Sequence, residues 1–193
     1  MKCLMLIRRK ERSVNAKQVI GFSLLEVMVV VAILGVLTAL AGPSFTPIIE
    51  RWRVRQGVES LTSTLYYARS EAIKRGGHVT IEKIPNNSNG CGSGGKNEWS
   101  CGWIVCEDSN GNGICNTDDS VLQRVNAPSR VQVTRPAGSG ASIKVNRWGL
   151  VDGPYLSFSL VPLGKSATDT AARGVCMSSG GRVKVIEVLP CSL

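Results

Sequence analysis

Residues 21–49 read GFSLLEVMVVVAILGVLTALAGPSFTPII, and this stretch decides the architecture. From Val27 to Ile49 it carries no charged residue. About 20 apolar helical residues cross the hydrocarbon core of a bilayer. Leu24 to Ala41 nearly suffice, and the run to Ile49 extends them. One residue does not suit an ordinary anchor. Glu26 sits inside the run, where a carboxylate costs roughly 2.5–3.5 kcal/mol on insertion scales. In hydrocarbon such a group needs a cationic partner. The run also starts directly after Gly21, with no small-residue cleavage site at its far end, which argues against a secretory signal peptide.

Upstream lies a basic leader. Lys2, Arg8, Arg9, Lys10, Arg12 and Lys17 stand against Glu11 alone, so the leader holds more than half of the formal net charge of +9. This excess keeps that end cytoplasmic and sends residues after about 50 into the periplasm of a Gram-negative cell. The remainder is mildly basic, which permits nucleic-acid binding without demanding it. A chain of 193 residues suits one domain plus an anchor. Cys3 lies in the leader, and Cys91, Cys101, Cys106, Cys115, Cys176 and Cys191 follow. An even set in a small exported domain predicts disulfides, with about 15 connectivities open. Nearness in sequence favours Cys91–Cys101, Cys106–Cys115 and Cys176–Cys191. No CxxC spacing supports a zinc site.

Pro43 and Pro47 follow the apolar run and predict a kinked or loosened segment. Beyond them Val54, Val58, Leu61, Leu65, Ala68 and Ala72 recur at helical spacing, and Gly76-Gly77 gives a stop signal. An amphipathic helix therefore runs to about Arg75. Arg51, Arg53 and Arg55 stand off its apolar face as a solvated face, or as contacts for lipid headgroups or neighbouring subunits. From His78 the pattern turns to short strands between Gly, Asn and Ser: 79–84, 103–106, 121–125, 131–134, 143–146, 155–160, 175–178 and 182–189. Eight such strands fit a two-sheet β-sandwich packed on the helix.

Gly21-Phe22-Ser23-Leu24-Leu25-Glu26, followed by the apolar helix, resembles the type IV prepilin family. The resemblance implies cleavage after Gly21 by the prepilin peptidase and N-methylation of Phe22. Glu26 becomes the fifth residue of the processed chain and pairs with the N-terminal amine of a neighbouring subunit during assembly. Further motifs narrow the likeness. Gly102-Trp103-Ile104-Val105, the line from Glu107 to Gly113, Asp118-Asp119-Ser120-Val121-Leu122, Asn146-Arg147-Trp148-Gly149 and Gly181-Arg182-Val183-Lys184 are similar to the GspH/FimT group of minor subunits.

The implied fold is α+β and pilin-like: a long N-terminal transmembrane and amphipathic helix packed on a C-terminal β-sandwich. Its parts are a cleaved leader (1–21), a transmembrane part of the helix (22–49), an amphipathic part of the same helix (50–76) and a periplasmic β-rich domain (77–193). The processed helix from Phe22 to Arg75 would be on the order of 80 Å long. The expected place is the inner membrane, single-pass, with the domain in the periplasm, and a pilus or pseudopilus after assembly.

Three functions compete. The first is a minor type IV pilus subunit that primes assembly or sits at the tip, binding double-stranded DNA for uptake. The second is a GspH-like minor pseudopilin of type II protein secretion. The third is a membrane-tethered periplasmic module that binds calcium or DNA. All but the last require other pilin or pseudopilin subunits as partners.

Some FimT-type pilins bind DNA through a C-terminal Gly-Arg-x-Arg element. Gly181-Arg182-Val183-Lys184 matches it with Lys in place of the second Arg, which keeps charge and loses the forked geometry. Arg173 lies nearby in sequence and joins Arg182 and Lys184 as a candidate. The alternative is a plain turn before the last strand.

Asp108, Asn110, Asn112 and Asp119 fall at positions one, three, five and twelve of a calcium-loop spacing, with Gly113 at six. No flanking helices are predicted, and the same text makes a metal-free turn. Catalytic motifs such as GxSxG, a P-loop or HExxH are missing, and His78 is the single histidine. No enzyme and no obligatory cofactor are expected. Trp99, Trp103 and Trp148 read as core or loop anchors rather than as a base-stacking platform.

Overall fold

The computed structural model describes residues 21–41, 45–85, 95–136, 139–153 and 155–191. The leader, Pro43 and Cys91 lie outside them. The chain divides into two compact units, Met1–Pro43 and Ser44–Leu193.

In the first unit, α1 runs over Leu24–Ala41. Ser23 caps it: the Glu26 N–H donates to Ser23 Oγ at 3.2 Å. Ser-x-x-Glu is the sequence form of a capping box, which explains why helix starts here. The 18 residues of α1 rise about 27 Å, just short of a hydrocarbon core of about 30 Å. Among the described residues no helix is long and apolar enough to cross a membrane.

The second unit opens with α2, Thr46–Arg75. α1 ends at Ala41 and α2 begins at Thr46, and the stretch 42–44 between them, with Pro43, lies outside the described residues. Pro47 occupies the first turn of α2, where its missing N–H costs no helix hydrogen bond. The helix ends as the glycines predict. Gly76 takes φ 70°, a left-handed conformation open to glycine, and the Gly77 N–H donates to the Ala72 carbonyl at 2.7 Å.

Eight strands follow: β1 (Val79–Lys83), β2 (Trp103–Glu107), β3 (Ser120–Val125), β4 (Val131–Thr134), β5 (Ser142–Val145), β6 (Tyr155–Pro162), β7 (Arg173–Ser178) and β8 (Val183–Ile186). They form two antiparallel four-stranded sheets, ordered β3-β2-β1-β5 and β4-β6-β7-β8. All six expected core positions of α2 are buried, together with Gly57 and Thr64. They share one core with Ile81, Trp103 and Val105 of the first sheet and Phe158, Leu160 and Val175 of the second. Trp99 meets Phe158 edge-on at 5.1 Å. The Trp103 Nε1–H donates to Thr64 Oγ1 at 2.9 Å, so the indole brings its own polar partner into the core.

The last strand ends at Ile186, earlier than position 189. Cys191 is bonded to Cys176 of β7, and Cys176 lies opposite Lys184. The chain must leave the sheet soon after Ile186 to return to that sulfur. A second disulfide joins Cys106 to Cys115. Cys101 is also disulfide-bonded.

Candidate functional site

Three places were expected to carry function. Every residue from Phe22 through Leu40, which takes in α1 up to its last position, is exposed. A helix that is apolar all round, Glu26 aside, is built to be covered by lipid or by other chains. Glu26 lies in the first turn, one turn from Phe22.

The Asp108–Asp119 loop is closed by its own backbone. Asp108 is 2% exposed. Its Oδ2 accepts from the Gly113 N–H at 2.7 Å and from Thr80 Oγ1 at 3.1 Å. Asn110 Oδ1 accepts from the Asn112 N–H, and Asn112 Oδ1 from the Ile114 N–H. Asp119 accepts from the Asn116 N–H at 2.9 Å and the Ser109 N–H at 3.1 Å. Those backbone donors, Asn116 first, hold the Asp119 carboxyl below the usual carboxylate range. Asp108 Oδ2, Asn110 Oδ1, Asn112 Oδ1 and the Asp119 carboxylate thus already accept N–H groups, while Asp108 Oδ1 is buried without a hydrogen-bond partner. Among the described residues no group of three His, Cys, Asp or Glu side chains could hold a metal ion.

The basic residues at the C-terminal end divide by register. Val175 and Met177 of β7 face the core, while Cys176 faces away to its disulfide. Cross-strand partners share a face, so Val183 and Val185 lie on the core side and Lys184 on the other. Arg182, just before the strand, is exposed as well. Arg173 alternates with Val175 and Met177 and belongs to the core-side rim. Its Nη1 donates to the Ala172 and Thr170 carbonyls, and its Nη2 pairs with Glu187 at 3.3 Å. Arg51, Arg55 and Glu59 of α2 line the groove beside it. Arg182 and Lys184 are therefore brought together, and Arg173 is not. Among the described residues no ion pair engages Arg182 or Lys184.

Gly181 is a turn residue. It has φ 81°, and its carbonyl accepts from Arg69 Nη1 of α2. The Ser178 N–H donates to the Arg182 carbonyl at 3.0 Å, which closes the hairpin. Sequence reasoning missed Arg69, because its spacing placed it off the apolar face of α2. Trp99 and Trp103 are core residues, but Trp148 is 72% exposed. It stands on the loop 146–150 next to Gly149, whose positive φ of 69° lets that loop turn against Ile73.

Comparison with known proteins agrees with this architecture. The family model described as Type II transport protein GspH matches residues 57–181, and the prokaryotic N-terminal methylation motif matches residues 17–42. The methylation motif implies processing by a peptidase and assembly with other pilin subunits. No curated protein matches the sequence. Among solved structures, the type IV minor pilin FimU of Pseudomonas aeruginosa PAO1 in space group P21 has a TM-score of 0.52 at 19% identity, covering 72% of this chain and 92% of its own. The same protein in space group P65 gives 0.49 at 18% identity, covering 68% and 91%. A methylation motif in front of a GspH domain with a minor-pilin fold leaves one conclusion: this chain belongs to the GspH family of type IV minor pilins and pseudopilins.

Proposed function

We propose that this chain is a minor subunit of a type IV pilus that helps initiate the filament or sits at its tip, and that it captures DNA there. In this reading α1 anchors the precursor once in the inner membrane, with the second unit in the periplasm. The peptidase cuts between Gly21 and Phe22, and Phe22 is methylated. The amine of Phe22 on an incoming chain then meets Glu26 of a neighbour. A carboxylate in hydrocarbon is costly alone and stable when paired, so the pairing drives correct stagger between subunits.

The observation that carries the DNA reading is the pair Arg182 and Lys184, both exposed, one just before the edge strand β8 and one on it, engaged by no ion pair among the described residues. Two phosphate contacts give sequence-independent, salt-steep binding. Disulfides that pin exposed loops suit a subunit displayed outside the cell. The second reading, a minor pseudopilin of type II secretion, draws on the description of the matching family model.

The test is a deletion strain complemented with wild type, Glu26→Ala or Arg182→Ala/Lys184→Ala. Glu26→Ala is expected to be made and processed yet missing from sheared pili. The double variant is expected in pili at wild-type level with DNA uptake reduced about tenfold or more. Loss of extracellular protein export with pili intact would instead establish the secretion reading. Full activity of Glu26→Ala would reject both filament readings in favour of a tethered module.

A further inference from the structure

Three sequence-distant segments meet at the C-terminal end of α2. The would-be Cβ of Gly149 lies 3.1 Å from Ile73 Cδ1 and 3.4 Å from Arg69 Cβ. That of Gly77 lies 3.3 Å from the Arg147 backbone nitrogen. The loop 146–150 thus rests on the last turn of α2. The far end of the same Arg69 side chain holds the Gly181 carbonyl. One arginine side chain therefore separates Arg147 and Trp148 from Arg182. This end lies about 45 Å along α2 from where the chain enters the unit.

The loop is held rigid without its tryptophan. Asn146 Oδ1 accepts from the Trp148 and Leu150 N–H groups, each at 3.0 Å. The Asn146 N–H donates to the Leu150 carbonyl at 2.9 Å, and the Gly149 N–H to the Asn146 carbonyl at 2.8 Å. The backbone does the folding, and the indole is presented to solvent at 72% exposure beside an Ile73 that is 58% exposed. At the same end Arg147 and Arg182 are exposed, with Lys184 two residues beyond Arg182 on the outer face of its sheet, and no ion pair among the described residues engages any of them. An open aromatic face at the same end as exposed cations that no ion pair engages suits a polyanion that carries flat rings.

We infer that this end of the molecule binds a single strand of nucleic acid, with Trp148 stacking on an unpaired base while Arg147, Arg182 and Lys184 hold phosphates. The inference rests on the reading of Arg182 and Lys184 as phosphate contacts and adds what they alone do not give: a preference for open bases. In a duplex each base face is already covered by its neighbours, so an exposed indole gains little. On a single strand a base–aromatic stack contributes strongly and tolerates any sequence.

The test uses the full chain in detergent micelles and two fluorescent probes, a thymidine oligonucleotide of about 20 nucleotides and a duplex of the same length. Trp148→Ala is expected to weaken single-strand binding about tenfold, with duplex binding changed less than about twofold. Trp148→Phe is expected to restore most of the loss. With three phosphate contacts, log K should fall against log salt with a slope of about −2 for the single strand, and flatten in Arg182→Ala/Lys184→Ala. Equal loss on both probes, or no loss, in Trp148→Ala overturns the stacking inference while the phosphate reading stands. Unchanged binding of both probes by the double variant overturns the phosphate reading. No binding of either probe at low salt overturns both. Trp148→Ala should melt with wild type, since the indole closes no hydrogen bond of its loop.

Discussion

α1 and α2 are neighbours in sequence and obey different rules. α1 presents apolar side chains on all sides and leaves those from Leu24 to Leu40 exposed, whereas α2 buries eight residues along one stripe and leaves arginines, glutamates and Trp52 outside it. The first is a helix whose solvent must be supplied by lipid or by other chains. The second carries its half of a core. The same secondary structure is thus stabilised from outside in one unit and from inside in the other, and mutations should separate the two.

The largest contrast is between leucines. Leu61→Ala opens a hole in the core of the second unit and is expected to cost about 2–5 kcal/mol in a urea titration that follows near-ultraviolet circular dichroism of the full chain in micelles. Leu34→Ala in α1 is expected to leave the same titration within about 0.5 kcal/mol. Equal effects would break the comparison.

A finer contrast lies within α2 itself. Thr64→Val takes away the acceptor of the buried Trp103 Nε1–H and is expected to cost about 1–3 kcal/mol. The neighbouring Thr62 Oγ1 is buried without a hydrogen-bond partner, so Thr62→Val should be neutral or slightly stabilising. The same denaturant titration decides, and reversal of this order would mean that the tryptophan bond is not what selects threonine at position 64.

The smallest effect concerns the loop 108–119. Backbone donors lower the folded pKa of Asp119 from an ordinary value of 3.8. A depressed carboxylate contributes stability above its unfolded pKa, and that contribution is lost as pH falls through the folded pKa. Wild type should therefore lose melting temperature between about pH 5 and pH 2 to a greater extent than Asp119→Asn, and the two should differ least in slope near neutrality. Parallel curves would remove Asp119 as the acid-sensitive closure of this loop.

Much of this was readable in advance. The heptad-like spacing from Val54 to Ala72 named the buried stripe of α2, because a 3.6-residue period reports burial directly. Gly76-Gly77 marked the helix end, because few other residues accept a left-handed conformation. The strands emerged within two or three residues of their expected limits. What spacing cannot report is a partner far away in the chain. Arg69 looked like a solvated residue until the Gly181 carbonyl was found against it. Asp108, Asn110, Asn112 and Asp119 have the spacing of a calcium loop, but spacing does not say what an oxygen holds: here each side chain accepts a backbone N–H, and Asp108 Oδ1 alone of that carboxylate has no partner.

The sequence by itself determined the N-terminal motif, the apolar α1, the amphipathic α2 and the order of short strands, since each is a local pattern of hydrophobicity, charge and turn chemistry. Only the tertiary structure decided which basic residues share a face or an end of the molecule. Arg173 and Lys184 are near in sequence, yet the period-two alternation of β7 and β8 sends them to opposite faces of one sheet. Arg147 and Arg182 are far apart in sequence, yet two turns docked on one arginine of α2 bring them to the same end. Local patterns are written by neighbouring residues, but a shared surface is set by strand register and by close packing between distant segments, and neither is a property of any short stretch of chain.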